Sequence, residues 1–159
     1  MLMQTGHWGT VLLLVPAFVT GFAGSKALGG SWHASLGLAV LALILARLLL
    51  RVVSRMAAIS VRLSSLLYAA LYSIAIMLAL TGLTAGQRSP FTPPPSAFGL
   101  QLPQIPVVPT TVGARAHTAL AYLLLALIGV HLLSLLARRL NGERGVLARM
   151  LPFGRYRQH

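Results

Sequence analysis

"GSWHASLGLAVLALILARLLLRVV", residues 30–53, decides the fold. From Ala34 to Ala46 it carries no charge, and the apolar segment from Trp32 to Val53 is long enough, at 1.5 Å of rise per residue, to cross a hydrocarbon layer of about 30 Å. A soluble helix of that length would need a polar face, and this one has none. Three other segments read the same way: residues 6–24 ("GHWGTVLLLVPAFVTGFAG"), 64–86 ("SSLLYAALYSIAIMLALTGLTAG") and 114–138 ("ARAHTALAYLLLALIGVHLLSLLAR"). The sequence therefore predicts an all-α integral membrane four-helix bundle, a single domain over residues 1–159. Pro16 falls inside the first span, where it bends a helix locally without ending it. That span is not expected to be a cleaved signal peptide, because nothing before Lys26 is charged.

Composition agrees with the spans. Of 159 residues, 57% are hydrophobic and 9% charged, and there is no cysteine. That rules out disulfides, thiolate metal sites and covalent haem attachment through a C-x-x-C-H motif. Thirteen Lys and Arg stand against one acid, Glu143, for a net charge of +12. Those cations flank apolar runs, which is a membrane arrangement, so no nucleic-acid partner is expected. The stretch between spans three and four, residues 87–113, holds seven of the nine prolines and reads as a loop. No internal repeat stands out.

Orientation follows from the basic residues. Arg47, Arg51, Arg55, Arg62, Arg138, Arg139, Arg144, Arg149, Arg155 and Arg157 fall on one side, against Lys26, Arg88 and Arg115 on the other. The positive-inside rule then places both termini in the cytoplasm and the proline-rich loop outside.

The histidines carry the chemistry. A histidine inside a span is costly enough to need a reason, and four of the five, His7, His33, His117 and His131, lie in or at the spans; His159 belongs to the tail. His117 and His131 are 14 residues apart, about 21 Å along one helix and nearly on one face. Span one starts inside and span two outside, so the four sort into two cross-helix pairs at matched depth, His7 with His131 and His33 with His117. Each alone could be an interfacial residue bonded to a headgroup or carbonyl, but lipid anchoring does not require such pairing. Two imidazoles facing each other from different helices suit a six-coordinate haem iron. Zinc competes, yet two histidines per level fall short of its usual three or four ligands. Two b haems are therefore expected, with irons held by His7 and His131 at the inner level and by His33 and His117 at the outer.

Other residues are ambiguous. Gly21, Gly37 and Gly129 leave room for a flat macrocycle or serve helix packing. Arg47, 14 residues after His33, reaches the inner level and either pairs with a propionate or quinone oxygen or snorkels to the interface. Arg115, beside the outer pair, carries the same two readings. Trp8, Trp32, Tyr68 and Tyr72 read as belt or packing aromatics.

The chain resembles the bacterial cytochrome b561 family, which includes a superoxide oxidase type. The resemblance rests on "GHW" at 6–8, "HASLGLAVLALILARLLLR" at 33–51, "AFGLQLP" at 97–103, "AHTALAYLLLALIGVH" at 116–131 and "LARMLP" at 147–152, in the family's order and spacing. It implies that the same four histidines are haem ligands. It implies, too, transmembrane electron transfer in the bacterial cytoplasmic (inner) membrane, with ubiquinone or another quinone as substrate. Some relatives serve as conduits for a donor protein such as a dehydrogenase, and one type takes electrons from superoxide. Relatives often carry a histidine at the start of span three, where "SSLLYAALY" has none.

Three function classes follow: an electron-transfer cytochrome, in one form a superoxide:quinone oxidoreductase; a haem-bearing accessory subunit of a larger respiratory or photosynthetic complex; and a haem-free transporter or assembly factor. Motifs of soluble enzymes are absent, and one acid in the whole chain excludes a carboxylate-rich proton path.

Overall fold

The structure, a computed structural model, describes residues 2–23, 30–54, 63–85, 96–102 and 110–142. Four long helices dominate it: α1 (Leu2–Ala23), α2 (Gly30–Ser54), α3 (Leu63–Ala85) and α4 (Thr110–Leu140). All four are long and apolar enough to cross a membrane, with mean hydropathies of 1.4, 2.4, 2.0 and 2.4 over Thr5–Ala23, Ser31–Val53, Leu66–Ala85 and Thr111–Leu140. Leu- and Ala-rich runs are strong helix formers, and in hydrocarbon the backbone must satisfy its own hydrogen bonds, which a helix does internally. α1 continues through Pro16 without a break.

The packing is a pair of antiparallel hairpins. α1 lies against α2 and α3 against α4, and α2 joins the two through its contact with α3. Close approaches fix the registers. A Cβ on Gly6 would stand 3.2 Å from Arg47 Cγ, and one on Gly21 2.9 Å from His33 Cε1. In the second hairpin a Cβ on Gly82 would stand 3.0 Å from His117 Cε1, and one on Gly113 2.6 Å from Thr84 Oγ1.

Val40, Ile44, Ala75 and Leu124 form the buried centre where α2, α3 and α4 meet, with Leu13, Leu14 and Phe18 of α1 packed against it. Large residues such as Leu12, Leu49 and Leu133 are more than 60% exposed, which is the expected outside of a bundle whose solvent is lipid.

Two features differ from the sequence reading. α4 begins at Thr110 rather than at the expected Ala114, so residues 110–113 belong to the helix and not to the loop. The loop also contains a small antiparallel ladder, β1 (Ser96–Ala97) with β2 (Leu100–Gln101). Its turn residues Phe98 and Gly99 have φ of 52° and 78°, the type I′ geometry whose twist suits a two-residue hairpin. The hairpin is tied down: Phe98 N–H donates to Ser35 Oγ at 2.9 Å, and Ala97 is buried against the bundle. The rest of the proline-rich segment, Lys26, Arg88 and the basic residues at 55–62 and beyond 142 lie outside the described residues.

Candidate functional site

One end of the bundle, expected from the basic residues to be the outer one, brings His33 of α2 and His117 of α4 together, with ring centroids 5.9 Å apart and planes at 88°. Both imidazoles are half-buried, and each is gripped by the first helix of its own hairpin. His33 Nδ1 lies 3.0 Å from Ala17 O and 3.2 Å from Thr20 Oγ1 of α1. His117 Nδ1 lies 2.9 Å from Leu78 O and 3.5 Å from Thr81 Oγ1 of α3. A carbonyl can only accept, so Nδ1 must carry the proton in both rings. That leaves Nε2 of each ring with a bare lone pair, the state in which histidine binds a metal.

At the opposite end, expected to be the inner one, His7 lies within electrostatic range of both His131 and Arg47. His7 also meets Trp8 edge-on at 6.0 Å, and His131 meets Tyr68 at 5.8 Å. The guanidinium of Arg47 sits 6.0 Å from the Tyr72 ring centre and that of Arg51 5.0 Å from the Tyr68 ring centre. Arg47 Nη1 also points at Thr10 Oγ1, at 3.5 Å. So two arginines of α2 lie over two tyrosines of α3 beside the inner histidines, a cation–π arrangement worth more where water is scarce. Tyr68 and Tyr72, expected as packing aromatics, stand at the site's edge.

Arg115 is placed differently. It is exposed and lines a shallow hollow of about 420 Å³ with Ala114, Thr118, Ala119 and Tyr122. Two residues before His117 on one helix, it occupies another face. Gly21 abuts the outer pair, whereas a Cβ on Gly37 or Gly129 would meet nothing within 4 Å.

Thr20, Thr81 and Gly82 were not singled out by sequence. Their signal is faint but present: a Thr-Gly pair closes the outer end of both α1 and α3, at the same offset from the carbonyl that the histidine uses. The repeat that sequence inspection misses is thus a two-fold repetition of hairpins.

Haem fits the outer pair. Two imidazole–metal bonds of about 2 Å on opposite faces of an iron would leave ring centres about 6 Å apart, close to the spacing of His33 and His117. Among the described residues no three His, Cys, Asp or Glu side chains cluster as a cage for a bare metal ion. A family model described as prokaryotic cytochrome b561 matches residues 1–153. No curated protein matches the chain.

Proposed function

The chain belongs to the prokaryotic cytochrome b561 family, whose members carry electrons in membranes with haem b, and on that premise we propose that it conducts single electrons across the bacterial inner membrane between two bis-histidine sites and exchanges them with the quinone pool. His33 and His117 hold the outer haem iron in this reading, and His7 and His131 the inner. The observation that carries it is the outer pair: two imidazoles from different hairpins, each with its proton turned to a backbone carbonyl and its Nε2 free.

Bound there, a b haem supplies a one-electron iron couple. The protein's part would be to supply two histidines to each haem iron, His33 with His117 and His7 with His131, so that the group would serve electron transfer rather than O₂ binding. Arg47, an intramembrane cation beside His7, is suited to a propionate or a reduced quinone oxygen. Both termini face the cytoplasm, as the distribution of arginines argues.

For the donor we propose superoxide, which gives up one electron and leaves as O₂. The supporting observation is Arg115, exposed in a hollow on α4 two residues before His117 in sequence, where a cation raises the local concentration of a small anion.

The test is a reduced-minus-oxidised optical spectrum of purified protein, with haem counted per chain, for wild type and His131→Ala. Two b haems falling to about one in the variant is the expected result. One in the wild type breaks a pair, and none in folded protein refutes the reading. Superoxide-driven quinone reduction by the purified protein alone, weakened several-fold by Arg115→Gln, tests the donor; its absence refutes superoxide, and failure with every small donor favours the accessory-subunit reading.

A further inference from the structure

The two outer histidines are held by seats of identical construction. In each, a backbone carbonyl at position n, a threonine at n+3 and a glycine at n+4 face the imidazole: Ala17, Thr20 and Gly21 for His33, and Leu78, Thr81 and Gly82 for His117. The threonine hydroxyls are themselves committed. Thr20 Oγ1 donates to Pro16 O at 2.8 Å with Ala17 O at 3.0 Å, and Thr81 Oγ1 donates to Met77 O at 2.9 Å with Leu78 O at 3.0 Å. With its proton turned into the helix, each hydroxyl offers only a lone pair to the histidine, so the Nδ1–H is shared between two acceptors. The glycine removes the Cβ that would otherwise strike Cε1, at 2.9 Å for Gly21 and 3.0 Å for Gly82, so the ring can lie against the backbone. Among the described residues His7 and His131 have no such carbonyl and threonine seat; Trp8 and Arg47 stand near His7, and Tyr68 near His131.

We propose that Thr20 and Thr81 are positioning residues that, with Gly21 and Gly82, lock the tautomer and ring angle of the outer imidazoles and hold the outer haem at a lower reduction potential than the inner one. The proposal rests on the reading of the four histidines as axial ligands. An Nδ1–H drawn toward acceptors pushes electron density onto Nε2, and a more electron-rich ligand favours the oxidised iron. At the inner level, among the described residues, Arg47 stands near His7 and Arg51 over Tyr68, and such cations favour the reduced iron. Both effects separate the potentials in the same direction.

The seats also explain the ring geometry. Each imidazole is oriented by its own hairpin, and the hairpins meet so that the ring planes cross at 88°. Crossed axial planes give ferric low-spin iron a highly anisotropic paramagnetic resonance signal, which reports ring angle independently of activity.

The experiment is redox potentiometry with paramagnetic resonance on haem-loaded protein, for wild type, Thr20→Val/Thr81→Val and Thr20→Ser/Thr81→Ser. Valine keeps the shape of threonine and removes the acceptor; serine restores it. The expected result is two haems in every protein. The lower potential should rise in the valine variant by about tenfold in the equilibrium constant, about 59 mV for one electron. The anisotropic signal should move with it, and the serine variant should return to wild-type values. Repeating the valine changes in His131→Ala, where only the outer site is left, assigns the shift. Two haems with an unmoved lower potential and signal, or a serine variant displaced as far as the valine one, overturns the proposal. A wild type with fewer than two haems refutes the ligand reading itself, a different outcome.

Discussion

Arg47 is a cation inside a span. A cation in a span is unfavourable by about 2.5–3.5 kcal/mol at mid-depth on insertion scales, and the chain's single acid, Glu143, lies outside the described residues. What the structure supplies instead is the face of Tyr72, the hydroxyl of Thr10 and the neighbourhood of His7. Those contacts offset part of the cost only, so stability does not explain the residue. On the proposed two-haem reading, Arg47→Leu is therefore expected to leave thermal stability in detergent unchanged or raised by about 1 kcal/mol, while lowering the potential of the haem held by His7 and His131 and leaving the other in place. Paired calorimetry and redox titration check both halves; a large loss of stability with unchanged potentials would make Arg47 a structural anchor.

The helix pairs are set by small residues. Gly113 of α4 is buried against the end of α3, where Thr84 Oγ1 donates to Thr81 O at 2.9 Å. A Cβ there would meet that oxygen at 2.6 Å but Thr84 Cβ at 3.4 Å and Ala85 N at 3.5 Å, ordinary distances. The obstacle is one hydroxyl. Gly113→Ala is expected to cost about 1–3 kcal/mol as an overpacking change, and Thr84→Ala in the same chain to restore most of it. Thermal unfolding of the single and double variants in detergent measures the coupling; a double variant as unstable as Gly113→Ala would mean the backbone, not the hydroxyl, is the obstacle. The helix assignments themselves are legible from the residues alone, since each run is long, apolar and rich in helix formers. The hairpin at 96–101 is not: its turn is Phe-Gly, without the Asn-Gly or Asp-Gly signal of type I′, and its anchor, Ser35, lies far away in sequence.

Taken whole, the molecule has a thin core and a broad apolar exterior, because lipid rather than water surrounds it. Its charge distribution gives an orientation that is simple to test, since the chain has no cysteine. Single substitutions Gln101→Cys, in the hairpin, and Asn141→Cys, just past α4, both fall at exposed positions. A membrane-impermeant maleimide added to intact spheroplasts should label Cys at 101 at once and Cys at 141 only after permeabilisation. The reverse pattern would turn the bundle over and exchange the inner and outer sites.

Depth in the membrane is what the sequence determined by itself. A helix rises 1.5 Å per residue and must fit a layer of known thickness, so the position of a histidine along its span sets its height, and the depth matching of His7 with His131 and His33 with His117 is already in the order of residues. Azimuth is what only the tertiary structure decided. Helices that are apolar all round carry no stripe to say which face turns inward; that choice is made by close contacts, Gly6 on Arg47, Gly21 on His33, Gly82 on His117 and Gly113 on Thr84. Those contacts bring the Thr-Gly seats under the outer imidazoles, set Arg51 over Tyr68 and Tyr68 beside His131, and leave Arg115 on another face of the helix that carries His117.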